Sequence, residues 1–128
     1  MIVAAYLYWP VIYLAVYLPF IVPRLPAWDH VPAVVVATIL GGYVVVLLAA
    51  GRSLDHRRIA LHAIGIALSV DAFSLAMSAL RTPAFAKTFD GVDPWDALAT
   101  AVHGLMVLAC LEAGRALGRA TRARRSVA

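Results

Sequence analysis

Apolar and polar positions divide this chain into four long apolar stretches, at about 2–22, 31–50, 59–80 and 97–117, separated by three short breaks. Crossing about 30 Å of hydrocarbon takes roughly 20 helical residues, so each stretch is long enough to span a bilayer as an α-helix. The breaks differ in chemistry. "PRLPAWDHVP" (23–32) and "RTPAFAKTFDGVDPWD" (81–96) carry helix-ending prolines and polar residues, whereas "GRSLDHRR" (51–58) is short and basic. The pattern predicts an all-α fold, an integral membrane bundle of four transmembrane helices forming a single domain over residues 1–128.

Composition points the same way. Hydrophobic residues make up 63% of the chain and charged residues 14%, whereas soluble domains carry about 25% charged residues to cover their surface. A multi-pass protein of the cell membrane is therefore expected, with the lipid bilayer as its first partner. The arginines give direction. Arg52, Arg57 and Arg58 share one side with Arg115, Arg119, Arg122, Arg124 and Arg125, and Arg24, Arg81 and Lys87 lie on the other. The N- and C-termini are accordingly expected to be cytoplasmic, with Trp28 and Trp95 at the outer interface. The net charge of +4 is read as topology, and the terminal "RATRARR" as a contact for anionic lipid rather than for nucleic acid.

Some chemistries are excluded. The first stretch lacks a basic leader and has Pro19, Pro23 and Arg24 where a cleavage site would need small residues, so it reads as a retained span. The lone Cys110 rules out an internal disulfide and any multi-cysteine zinc site within one copy. With no nucleophile triad and no phosphate-cradling glycine loop, no enzymatic activity is expected.

Helical phase then sorts the spans into faces. Tyr6, Trp9, Tyr13, Tyr17 and Phe20 fall within one arc of the first span. Such a face suits helix packing, the favoured reading, or a wall for a flat ligand such as haem or quinone, with Tyr13 and Tyr17 as its contacts. Pro10 and Pro19 interrupt the backbone bonding of the same helix. Small residues at Gly41, Gly42, Ala63, Ala67, Ala72, Ala76, Ala99, Gly104, Ala109 and Gly114 predict close helix approach. Docking to other membrane subunits or a homo-oligomer is the corresponding expectation.

Within the third and fourth spans, "LHAIGIALSVDAF" (61–73) is echoed by "VHGLMVLACLEAG" (102–114) at an offset of 41 residues. The echo aligns His62 with His103, Asp71 with Glu112 and, before the helices, the candidate caps Asp55 and Asp96. Successive spans run in opposite directions, so such a repeat would be inverted. Measured from the cytoplasmic end, Glu112 should lie near the level of His62, and His103 near Asp71. Nine residues turn a helix through about 900°, so His62 and Asp71 point to opposite faces. Asp71 shares a polar stripe with Ser74 and Ser78, and a carboxyl inside a membrane is by default a functional candidate. Glu112 is expected to pair locally with Arg115. His103 and His62 are the candidate cofactor ligands, with His103 and Asp71 the candidate metal ligands.

Two resemblances follow from these residues. The basic "DHRR" before one span, the outer "FDGVDPWD" and the internal His103 of the next resemble the small membrane family linked to assembly of caa3-type haem-copper oxidases. That resemblance implies a small haem-related accessory or assembly subunit of a respiratory complex, with His56 and His103 as the positions carried over. Separately, "LSVDAFSLAM" (68–77) resembles the aspartate-bearing helix of manganese-export proteins. It implies an oligomeric proton- or cation-translocating protein using Asp71. A purely structural membrane subunit is the third expectation.

Overall fold

The computed structural model describes residues 1–17, 33–81 and 94–125. They form four α-helices, α1 (Ile2–Tyr17), α2 (Ala33–Gly51), α3 (His56–Arg81) and α4 (Pro94–Arg125). The all-α expectation holds. Among the described residues, α2 and the Ala97–Arg125 part of α4 are long and apolar enough to cross a membrane, and α1 contributes a shorter apolar helix, Ile2–Ile12.

The helix ends depart from the apolar stretches for local reasons. Ser53 closes α2 by donating from its backbone N–H and its hydroxyl to the Ala50 carbonyl, at 3.3 and 3.1 Å. The Asp55 carbonyl then accepts from Arg58 and Ile59, which places Asp55 at the cap position of α3, as the sequence predicted. Asp96 differs. Because α4 begins at Pro94, a residue whose missing N–H is harmless at a first helical position, Asp96 falls within the first turn instead of capping it. At its other end α4 continues past the apolar stretch to Arg125. Arginine and alanine are strong helix formers, so "RATRARR" carries the helix onward. At 32 residues it is about 48 Å long.

Helix α4 packs along both α2 and α3, and α1 closes the opposite side against the same two helices. The α2–α4 pair is parallel: Leu48 and Gly51 meet Gly114 and Leu111, and Arg52 meets Gly118. Its backbones touch. A Cβ placed on Gly51 would fall inside van der Waals contact of the Leu111 carbonyl, and one on Gly114 inside contact of the Leu48 carbonyl. The α3–α4 pair is antiparallel, with His56 against Glu112, Ala67 against Gly104 and Asp71 against Thr100.

Against this frame α1 docks through two tyrosines seated in two glycine notches. The Tyr8 hydroxyl lies over Gly42 of α2 and donates to the Ile39 carbonyl at 2.5 Å. The Tyr6 hydroxyl lies over Gly65 of α3. Tyr43, Leu47, Ile59, Ile66, Val107 and Leu111 fill the centre. Among the described residues, none of the fully buried side chains is charged, and many large apolar side chains face outward. Val34, Val35, Val36, Leu40 and Val45 are exposed on α2, and Leu98, Val102, Leu105 and Leu117 on α4.

The predicted small-residue faces are used selectively. Gly42 and Gly114 make close approaches and Gly104 an ordinary contact with Ala67, but Gly41 meets nothing within 4 Å, and Ala72, Ala76, Ala99 and Ala109 are exposed.

Gly51→Ala or Gly114→Ala forces a backbone shift with no flexible side chain to absorb it. Each is expected to lower stability in detergent by about 2–3 kcal/mol, whereas Gly41→Ala is expected to be neutral or to gain about 0.5–1 kcal/mol. Denaturant titration followed by circular dichroism checks the contrast, and equal effects at Gly41 and Gly114 would contradict the packing.

Candidate functional site

Among the described residues, the interhelical polar contacts gather into four small constellations, one joining three helices and the others two each. The largest is aromatic. Tyr43, at the centre of α2, stacks on Tyr8 with ring centroids 5.2 Å apart and meets Trp9 edge-on at 5.4 Å. Its hydroxyl shares a 3.0 Å hydrogen bond with Nε2 of His103 on α4, the imidazole tautomer setting which atom donates. Trp9 Nε1 is buried without a hydrogen-bond partner among the described residues. Trp9 therefore acts here through its ring surface.

A second constellation joins α1 to α3, where Tyr6 Oη and His62 Nδ1 lie 3.2 Å apart with the rings edge-on. A third joins α3 to α4. Thr100 donates to Asp71 Oδ2 at 2.7 Å, so the partly buried carboxyl is held by a hydroxyl one turn from His103. The fourth lies at the end of the bundle where α3 begins. His56 Nδ1–H donates to Glu112 Oε1 at 2.7 Å, and Arg115 donates through Nε and Nη2 to Oε2 at 2.8 and 2.7 Å.

The Glu112–Arg115 pair expected from its spacing is present. The levels predicted along the helices hold for His103 and Asp71 but shift for Glu112, whose partner is His56, six residues before His62. The cause is the antiparallel register, which sets Glu112 against the first turn of α3. Among the described residues, neither embedded histidine bonds a carboxylate. Each is held by a tyrosine instead, His62 from α1 and His103 from α2.

The echo between the third and fourth spans thus appears as a pattern of contacts. Each parallel pair, α1–α3 and α2–α4, carries one tyrosine–histidine bond, although α2–α4 packs far more extensively. Tyr8 and Tyr43, central to the largest constellation, were not singled out from sequence. The available signal was Tyr43 as the only aromatic of an otherwise aliphatic α2, directly after Gly41 and Gly42.

The arc expected on the first span divides. Tyr6 faces α3, and Trp9 turns with Tyr8 to α2. The side chains of Tyr13, Tyr17 and Ser74 lie outside the described residues, as do Phe20, Trp28 and His30. Among the described residues, no group of three or more His, Cys, Asp or Glu side chains gathers as a metal site.

No protein family, curated protein or solved structure matches this chain.

Tyr43→Phe keeps the stacked ring and removes the bond to His103, so stability in detergent is expected to fall by about 1 kcal/mol. The Tyr6 bond to His62 is longer, and Tyr6→Phe is expected to lose less. Denaturation of both variants in one detergent orders them, and a larger loss for Tyr6→Phe would reverse the assignment of Tyr43 as the central contact.

Proposed function

We propose that this chain is an integral membrane protein of four spans with cytoplasmic termini, acting as an accessory or assembly subunit that binds partner membrane subunits. The observation that carries this reading is where the polar groups go. His62, His103 and Asp71, the polar side chains of apolar helices, are each bonded to a neighbour inside the bundle, while exposed aliphatic side chains face outward. In a bilayer, satisfied interhelical hydrogen bonds hold helices together, and an apolar exterior suits lipid or another apolar helix. The resemblance at His56, Arg57 and His103 makes a respiratory haem-containing complex the first partner to test.

The described residues fit a resident haem poorly. His103 Nε2 is engaged by Tyr43, and the two histidines belong to different helix pairs, so they do not offer two axial nitrogens to one iron; the Tyr6 bond to His62 uses Nδ1 and leaves the iron-ligating Nε2 out of it. The subunit is therefore read as one without a cofactor of its own. A second reading, an oligomeric proton or cation carrier, draws on Asp71, which is only partly buried and bonded to Thr100, one turn from His103.

The purified protein is expected to show no Soret band. A band that disappears in His103→Ala would overturn the cofactor-free reading. Co-purification in mild detergent is expected to recover other membrane subunits, and a stable solitary monomer would count against the accessory role. In proteoliposomes, proton or cation flux that collapses in Asp71→Asn would favour the carrier instead.

A further inference from the structure

Along the seam between α3 and α4 runs an apolar groove of about 440 Å³. Its floor is cut low by Ala63, Ala67 and Gly104, and its walls are Ile64, Leu68 and Leu105, which are 58%, 55% and 65% exposed. At one end the Thr100 hydroxyl is turned to Asp71. The other end opens between Ala60 and Leu108 toward the start of α3.

Charge at that mouth is net positive, with Arg57, Arg58, Arg115 and Arg119 against Asp55 and Glu112. Helical phase at about 100° per residue places Arg57, three residues before Ala60, on the groove side of α3, and Arg119 on the groove side of α4. Arg58 turns to the opposite side of α3. Arg57, Arg58 and Arg119 are all exposed. The acid nearest the seam, Glu112, is already held by His56 and Arg115.

We propose that the α3–α4 seam binds one anionic phospholipid, its acyl chain in the groove and its phosphate on Arg57 and Arg119. The proposal rests on the membrane reading above. A second copy docked side by side would bring its own arginines against these, and cytoplasmic ends of membrane helices are generally basic, so a helix partner meets like charge where a phosphate meets its complement. The groove spans about 12 Å from Ala60 to Leu68 at 1.5 Å per residue, enough to hold much of an acyl chain against carbon on both sides.

Native mass spectrometry of the full chain in a neutral detergent tests this with phosphatidylglycerol and phosphatidylcholine of the same chains. Phosphatidylglycerol is expected to be retained over phosphatidylcholine. Arg57→Gln is expected to reduce that preference about fivefold, while Arg58→Gln leaves it in place. Ala101→Phe, at an exposed position lining the groove, is expected to lower retention of both lipids, with Ala101→Leu as the milder variant if folding fails by circular dichroism. Glycerol 3-phosphate is expected not to compete, because it lacks the chain. Equal losses from Arg57→Gln and Arg58→Gln would show general electrostatic attraction and overturn the site, as would competition by glycerol 3-phosphate or absence of any headgroup preference. Release of the protein from membranes by alkaline carbonate would instead overturn the membrane reading on which the site rests.

Discussion

The contact on which the bundle depends is the meeting of two backbones, where Gly51 of α2 lies on the Leu111 carbonyl and Gly114 of α4 on the Leu48 carbonyl. On the proposed membrane reading, apolar helices gain little by hiding apolar surface from one another, so association rests on close packing and interhelical hydrogen bonds. Glycine permits both, because removing the Cβ lets the axes approach until neighbouring polar tips can reach. The α2–α4 contact fixes a parallel pair, and Tyr43 on one member then meets His103 on the other at 3.0 Å. Helices α1 and α3 close around that pair with a tyrosine–histidine bond of their own.

Polar chemistry inside the bundle is consequently divided into pairs. His62, His103 and Asp71 each find a hydroxyl, and Glu112 finds His56 and Arg115 at the end of the bundle. A histidine bonded to a tyrosine in an apolar setting is a specific joint, since removing either partner leaves the other unsatisfied. Such joints set helix order and register, which suits a subunit that presents a defined outer surface. The outer surface itself is not uniform. Most of it is aliphatic, but the α3–α4 seam is grooved and ends among arginines.

The four helices were legible because apolar length and proline-rich breaks are local signals. So were the Asp55 cap and the Glu112–Arg115 pair, which depend on spacing within one helix or its edge. Register between helices was not legible at the same accuracy. Equal depth in antiparallel spans set Glu112 near His62, whereas the observed register sets it against His56, six residues earlier. The glycines that matter most were only partly found: Gly114 and Gly42 stood out among small residues, but Gly51 sat in a basic break and Gly65 among alanines. Their importance comes from what lies across from them, a carbonyl for Gly51 and a tyrosine hydroxyl for Gly65. Tyr43 escaped notice because it breaks an aliphatic helix once, and a single position has no periodicity.

The central claim is that these helices cross a bilayer with the arginine-rich end inside the cell. It is tested most directly by labelling single cysteines, placed at Ser53, Thr88 and Arg125 in a Cys110→Ala background, with a membrane-impermeant maleimide on intact cells. The account predicts that Thr88→Cys reacts in intact cells and that Ser53→Cys and Arg125→Cys react only after permeabilisation. Equal reactivity of Ser53→Cys and Thr88→Cys in intact cells, or recovery of all three labelled proteins in the soluble fraction, would contradict it.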